Sequence, residues 1–234
     1  MKIYPMTIEV AESNFRRFSQ VALSSKEMSK SAFMKAEKQC EVQYNSLGKT
    51  QNICEKLSSL VDELIKNGKL DWAGVVCSRL SKFTNVPKEL YEKYIKQGLE
   101  IAELQNDKMH IVARLENLHK EYEKEGNSEK LRKVLVREES TLKEILDDFD
   151  GSIKNYRTTG EKEFNIDNFK DILATTQVDL AKILLHSDPK KAMKKLKSAI
   201  RIFKSLGAWE RCDFAKMLLR MAKENHFGDD YIRF

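Results

Sequence analysis

Glycine and proline are scarce in this sequence, which holds nine glycines and three prolines among 234 residues. Strands need these residues at their turns and bulges, so the scarcity favours helices over strands. The hydrophobic content of 41% and the charged content of 33% are ordinary for a globular protein, which argues against a chain that is disordered throughout. We therefore expect an all-α protein.

Paired cysteines and long apolar runs are also missing. The four cysteines, Cys40, Cys54, Cys77 and Cys212, lie far apart without a CxxC pair, so we interpret them as reduced thiols, mostly in the core. The opening segment MKIYPMTIEV lacks the apolar stretch of a signal peptide. Lys, Glu or Arg interrupts every later apolar run well before the roughly eighteen residues of a membrane span. We expect no transmembrane segment and predict a cytoplasmic protein.

Signatures of catalysis or metal binding are lacking as well. The four histidines stand apart, with no HExxH, HxH or Cys–His ligand spacing: His110, His119, His186 and His226. The acidic run before Gly151 fails as an EF-hand because Leu146 and Arg157 would occupy the first and twelfth ligand positions. No glycine-rich phosphate loop, GxSxG elbow or kinase signature occurs. We predict no catalytic, cofactor or metal residue and no enzyme; a site assembled from distant helices is the alternative.

What the sequence does contain is a series of helical blocks separated by one or two turn-forming residues. Residues 7–23 and 26–46 are predicted to form two helices, with a capping box from Ser24 to Glu27, and Gly48 ends this pair. Further blocks begin near residues 50, 70, 87, 108, 128, 167, 188 and 208, which makes about ten helices joined as antiparallel hairpins. We predict an N-terminal helical hairpin or cap over residues 1–48 and a helical repeat array over residues 49–234.

An internal repeat supports the array. An alanine is followed thirteen and fourteen residues later by a Gly/Ser–Asn/Asp step at three places: Ala113 with Gly126-Asn127, Ala174 with Ser187-Asp188, and Ala215 with Gly228-Asp229. A small residue lets two helices approach closely, and the step ends one helix and caps the next. The longer gap between the first two alanines indicates an insertion, which we place at residues 150–166 as an exposed loop.

The pattern resembles the tetratricopeptide-like (TPR-like) superfamily of helical repeats, over roughly residues 70–229. The residues that carry the resemblance are Leu115, Leu118, Tyr122 and Gly126-Asn127 for a first helix, and Ala192 and Ala199 for a second helix. The helices are longer than in the family, and the period is about 40 residues rather than 34. The resemblance implies a right-handed α-solenoid whose first helices line a groove for a partner, and it implies no chemistry.

Basic residues recur every three or four positions in one predicted helix, at Lys190, Lys194, Lys197, Arg201 and Lys204. A parallel series of apolar residues follows two positions later, about 200 degrees around the helix, so the charges should point away from the core. Residues 188–206 hold seven Lys or Arg against Asp188 alone. The remaining 35 basic and 35 acidic residues balance, so the whole formal net charge of +6 lies in this helix.

This row of five cations, called the basic row below, is the candidate anion-binding or partner-binding site. A solvated outer face is the simplest interpretation, and docking to an acidic protein surface is the first functional one. At about 1 kcal/mol per charge near an anionic membrane, five charges give an affinity on the order of 0.2 mM, too weak for a sole membrane anchor. The repeat phase makes this helix an outer helix, so we expect the row on the convex side.

We expect a non-enzymatic protein–protein interaction scaffold or adaptor that binds another protein or peptide through its groove or an end of the array. Self-association is a further expectation, in which Phe15, Phe18, Phe33 and Met34 make the first two helices an oligomerisation hairpin instead of a cap. The alternative function is a nucleic-acid or anionic-surface binding module that uses the basic helix, residues 189–206.

The aromatic residues bear on that alternative. Trp72, Trp209, Tyr91, Tyr94 and Phe203 share the apolar phase of their helices, so we predict that they pack in the core. Aromatic platforms for single-stranded nucleic acid would instead need exposure beside basic residues.

Overall fold

The computed structural model describes residues 7–24, 29–80, 88–155 and 165–224. Within these ranges the chain forms eleven helices and no strand, which confirms the all-α expectation and its count of about ten helices. No helix in the same ranges combines the length and the apolar character that crossing a membrane requires. The chain divides into two compact units, Met1–Gln105 and Asn106–Phe234, called unit one and unit two below.

Unit one contains five helices in its described residues. They are α1 (Ile8–Ser24), α2 (Lys30–Ser46), α3 (Thr50–Lys66), α4 (Leu70–Leu80) and α5 (Lys88–Leu104). Each helix packs against the next one along the chain, and α1 also contacts α3. The predicted capping box of α2 is not the cap observed, since Ser24 ends α1 and the Ser29 side chain accepts a hydrogen bond from the Ala32 amide.

The first two helices share one hydrophobic core with α3 and α4. Phe18 lies 5.1 Å from Phe33, and Phe33 stacks on Trp72 at 4.7 Å between ring centroids. Phe15 is also buried in this core. Phe15, Phe18 and Phe33, which were predicted for an oligomerisation hairpin, are therefore buried in the core of unit one. Met34, the fourth predicted residue, is 39% exposed.

Unit two contains six helices in its described residues. They are α6 (Lys108–Lys124), α7 (Ser128–Asp147), α8 (Phe149–Asn155), α9 (Ile166–Leu184), α10 (Pro189–Ser205) and α11 (Trp209–Glu224). Helix α7 packs between α6 and α9, and α10 packs between α9 and α11. The short α8 contacts α6 and α7.

The turns of unit two follow the predicted step. Gly126 adopts a φ of 63°, which glycine tolerates best, while the Asn127 amide donates back to the Tyr122 carbonyl and closes α6. The Asn127 side chain then accepts from the Lys130 amide and begins α7. Asp188 caps α10 in the same way, with Pro189 at the first helical position. The third predicted step, Gly228-Asp229, lies outside the described residues.

The close-approach role predicted for the alanines holds for two of the three. Ala174 and Ala215 are fully buried in one core cluster that joins α9, α10 and α11. Ala113 is exposed, so the prediction was wrong there. The buried face of α6 is set instead by neighbours such as Val112 and Leu115, which leaves Ala113 off that face.

The segment predicted as an exposed loop at 150–166 begins as a helix. Residues 149–155 form α8, and Asp148 begins it by accepting a hydrogen bond from the Gly151 amide. Phe149 anchors the helix edge-to-face against Phe169 at 5.7 Å. The loop prediction missed this because α8 has no sustained apolar period and is held by contacts of Phe149 with distant residues. Residues 156–164 lie outside the described part.

Candidate functional site

The basic row lies on α10, whose ends are set by local sequence. The Asp188 carboxylate accepts from the Lys191 amide at 3.1 Å and pairs with the Lys191 ammonium at 2.8 Å. These hydrogen bonds lower the pKa of Asp188 below its ordinary value. At the other end, Gly207 takes a φ of 68° and the Ala208 amide donates to the Phe203 carbonyl. A straight segment of seventeen residues is held between these caps.

The structure places all five members of the basic row on the exposed side of α10: Lys190, Lys194, Lys197, Arg201 and Lys204. The opposite side is buried against α9 and α11 through Ala192, Leu196, Ala199, Ile200 and Phe203. The predicted phase of the helix is therefore the observed one. Burial of the apolar stripe forces the cations outward, since both series lie on one helix with fixed geometry.

None of the five cations pairs with a carboxylate within the described residues. The guanidinium of Arg201 donates through Nε to the Lys197 carbonyl at 3.3 Å. Exposed lysines on other helices of this chain do pair with acidic residues one turn away, as in Lys38–Glu41, Lys96–Glu92 and Lys124–Glu121. Helix α10 has no acidic residue after its cap, so the lysines of the basic row lack this neutralisation.

Lys195 stands outside the row and connects α10 to α7. Its ammonium donates to Oε2 of Glu139, while Lys143 donates to Oε1 of the same carboxylate at 2.8 Å. Gln177 of α9 donates to Oε1 as well, at 3.1 Å. Burial would raise the pKa of Glu139, but these two lysines outweigh burial and lower it below its ordinary value. One buried carboxylate thus ties three helices together and is shared by two cations.

A second polar cluster joins α6, α7 and α9. His119 places Nδ1 3.5 Å from Glu138 and Nε2 3.8 Å from Asp179. Burial lowers the pKa of His119, but the close contact with Glu138 and the charges of Glu138 and Asp179 outweigh it and raise the pKa above its ordinary value. Nearby, burial and the charge of Glu138 raise the pKa of Glu116. This arrangement stabilises a protonated imidazole between two carboxylates.

The sequence analysis did not find either polar cluster. Their members are separated by many residues in the sequence, as Glu139 and Lys195 are by 56. One signal was present: Glu138 shares the apolar phase of α7 with Leu135 and Leu142, both of which are fully buried. A charge in an apolar phase indicates a buried partner.

The other candidate ligands behave as structural groups. His110 pairs with Asp107 at 2.6 Å, and His226 lies outside the described residues. Across the ranges that the structure describes, no three or more His, Cys, Asp or Glu side chains gather closely enough to hold a metal ion. All four cysteines are free and buried, as expected, and burial raises the pKa of both Cys40 and Cys54 to about 11.

The aromatic residues follow the prediction with one exception. Tyr94 and Phe203 are buried, and Trp72 and Tyr91 are half-buried. Trp209 is 62% exposed, so the prediction of a core position was wrong for this residue. It occupies the first position of α11, where the buried face is set by Cys212 and the residues that follow it at helical spacing. An exposed indole therefore follows the last cation of the basic row by five residues.

A groove between α1 and α3 in unit one also has charged walls. It has a volume of about 290 Å³. Glu12 and Lys56 pair across it at 3.7 Å, and Arg16 and Glu63 add one charge of each sign. The charges within this groove balance, in contrast to those of the basic row.

No protein-family model matches the chain, and no curated protein matches it.

Proposed function

We propose that the protein is a non-enzymatic interaction module of TPR-like helical repeats, a scaffold or adaptor that binds an anionic partner along α10. The resemblance to TPR-like repeats suggests binding rather than chemistry, because such arrays present side chains from stacked hairpins to a partner. On this proposal α10 is an outer helix of the array and its basic row is the docking surface.

The unpaired state of the basic row is the observation that carries the proposal. A solvated helix face that only keeps a protein soluble is normally built from both signs of charge, as on the other helices of this chain. The basic row keeps five like charges about 5 Å apart on average along one helix without a carboxylate between them. This arrangement opposes the stability of the isolated helix, since like charges one turn apart repel. A function in binding negative charge accounts for it.

Two partner classes share this chemistry. The first is an acidic surface or segment of another protein, which is the scaffold role in its plainest form. The second is a nucleic acid, and the exposed Trp209 beside the end of the row favours it as an available stacking surface.

A charge-reversal pair tests the proposal. The row variant K190E/K194E/K197E reverses three of the five charges of the basic row, and it should fold because all three side chains are exposed. The control variant K38E/K96E/K124E makes the same change in net charge at lysines that pair with acidic neighbours. Each control substitution removes a surface pair worth less than about 1 kcal/mol.

The measurement is retention of the full chain on immobilised heparin, poly-L-glutamate and an oligonucleotide at 50 mM salt. We expect the natural chain and the control variant to be retained on at least one matrix and the row variant to be lost from it. Equal retention of all three proteins on every matrix would show that the basic row is not the docking surface.

A further inference from the structure

We infer that the partner of the basic row is a single-stranded nucleic acid, held through its phosphates without readout of base sequence. This inference rests on the proposed function and adds the class of the partner.

Further cations lie where α10 contacts α7. Glu139 of α7 is shared by Lys195 of α10 and Lys143, so one negative charge faces two positive ones. Asp188 is likewise flanked by its partner Lys191 and by the charge of Arg132 on α7. Both carboxylates at this junction are outnumbered by cations. Neither of these two carboxylates therefore leaves net negative charge beside α10.

The length of the basic row suits a phosphate backbone. From Lys190 to Lys204 the helix rises about 21 Å at 1.5 Å per residue. A nucleic-acid strand in a stacked geometry carries one phosphate per about 3.4 Å, so this length faces about six phosphates. Five cations along the row nearly match that number.

The residue types in the basic row argue against a protein partner. Protein interfaces are depleted of lysine at their centres and depend on buried aromatic and aliphatic groups. The row holds four lysines and one arginine, with no apolar side chain among its exposed positions. A membrane surface fits no better, because amphipathic binding needs apolar residues that enter the lipid. Lysines make point contacts to phosphates without reading bases, so sequence independence is expected.

Trp209 selects a single strand over a duplex. Its indole is 62% exposed and begins α11 directly after the turn that follows α10. Unpaired bases stack on exposed aromatic rings, whereas the bases of a duplex are already stacked on one another. A strand that follows the basic row can place a base on this ring.

Fluorescence anisotropy with a labelled twenty-nucleotide oligo(dT), the matching duplex and unlabelled poly-L-glutamate as competitor tests the inference on the full chain. With five phosphates engaged, the plot of log binding constant against log salt should have a slope of about −3.5 for the single strand. This corresponds to roughly 100-fold weaker binding at 200 mM than at 50 mM salt. The row variant should lower the slope to about −1.4 or less, while the control variant keeps it.

The variant Trp209→Ala separates stacking from charge. It should weaken single-strand binding roughly tenfold with the salt slope unchanged, and it should leave duplex binding unaffected. Circular dichroism of each variant checks that the helical content is retained. A loss of slope in Trp209→Ala, or equal effects on single strand and duplex, would overturn the choice of a single strand.

The remaining outcomes distinguish this inference from the proposed function. If poly-L-glutamate binds more tightly than oligo(dT), and the row variant abolishes that binding, the nucleic-acid inference fails and the proposed function stands. If oligo(dT) binds the row variant as well as the natural chain, a different surface binds it and the inference fails. If no polyanion binds the natural chain, both fail.

Discussion

Replacing Lys195 with methionine should destabilise unit two, although the substituted side chain is as long and as flexible as the original. Lys195 is 21% exposed, and its ammonium meets the buried Glu139 carboxylate, which is 8% exposed. Removing one partner of a fully buried ion pair costs about 3–5 kcal/mol. Glu139 retains Lys143 and Gln177 as donors, and solvent reaches part of the Lys195 side chain, so we expect a loss of about 2 kcal/mol.

Urea unfolding of the full chain, followed by circular dichroism at 222 nm, measures this loss. The two units can unfold in separate transitions, so the change should appear in one transition and leave the other in place. Lys143→Met is the matched control: its ammonium contacts the same carboxylate, but the side chain is 54% exposed, so we expect a cost of about 0.5 kcal/mol or less. If Lys195→Met costs no more than Lys143→Met, the connection between α7 and α10 carries little stability.

The pH dependence of the Lys195→Met effect provides an independent check. The pKa of Glu139 is lowered from its ordinary value of 4.5, so its contribution to folding is present above that value and is lost as the pH falls through the lowered pKa. The difference between the natural chain and Lys195→Met should therefore shrink between about pH 5 and pH 3. A difference that stays constant over this range would contradict an ionic origin.

Three further predictions concern groups elsewhere in the fold. The pKa of His119 is raised above 6.5, so the stability that its carboxylate contacts provide should be full below that pH and should fall as the pH rises through the raised value. Urea midpoints measured from pH 5 to 9 should show this fall. The variant His119→Gln should make the midpoint less dependent on pH. Gly207→Ala should lower stability by about 1 kcal/mol, because Gly207 has a φ of 68° that alanine adopts poorly. Gly74→Ala should raise stability by about 0.5–1 kcal/mol, because Gly74 lies inside a helix and an added Cβ would meet Ile101 at an ordinary 3.6 Å. Thermal melts of the two variants measure both effects. All four cysteines are buried, and burial raises the pKa of Cys40 and Cys54 to about 11. Ellman's reagent at pH 8 should therefore label no cysteine quickly in the native chain and all four after denaturation. Rapid labelling of the native chain would contradict the packing.

Local features of the fold could be predicted because their causes are local. Asp188 caps α10 and Pro189 is its first residue, so two adjacent residues predict where this helix begins. Gly126 and Asn127 end α6 and begin α7 in the same local way. The phase of the basic row follows from the 3.6-residue period of a single helix. Helix number and the outward direction of Lys190, Lys194 and Lys197 were thus accessible from the sequence.

The features that sequence reasoning missed depend on contacts between distant elements. Phe149 at the start of α8 packs against Phe169 and the apolar cluster of α6 and α7, and Ala113 is exposed because its neighbours form the buried face of α6. Trp209 follows the apolar phase in the sequence but is exposed at the first position of α11. Each outcome depends on which partner lies opposite, which periodicity does not encode.

The sequence by itself determined that this chain is helical, where most helices begin and end, and that its net positive charge is concentrated on one outward helix face. Those properties arise from capping, glycine conformation and helical period within about twenty residues. The tertiary structure alone decided that Lys195 turns away from the basic row to share Glu139 with Lys143, and that His119 lies between two carboxylates. Burial of these charges is tolerated only where partners converge, and convergence is a property of packing in three dimensions.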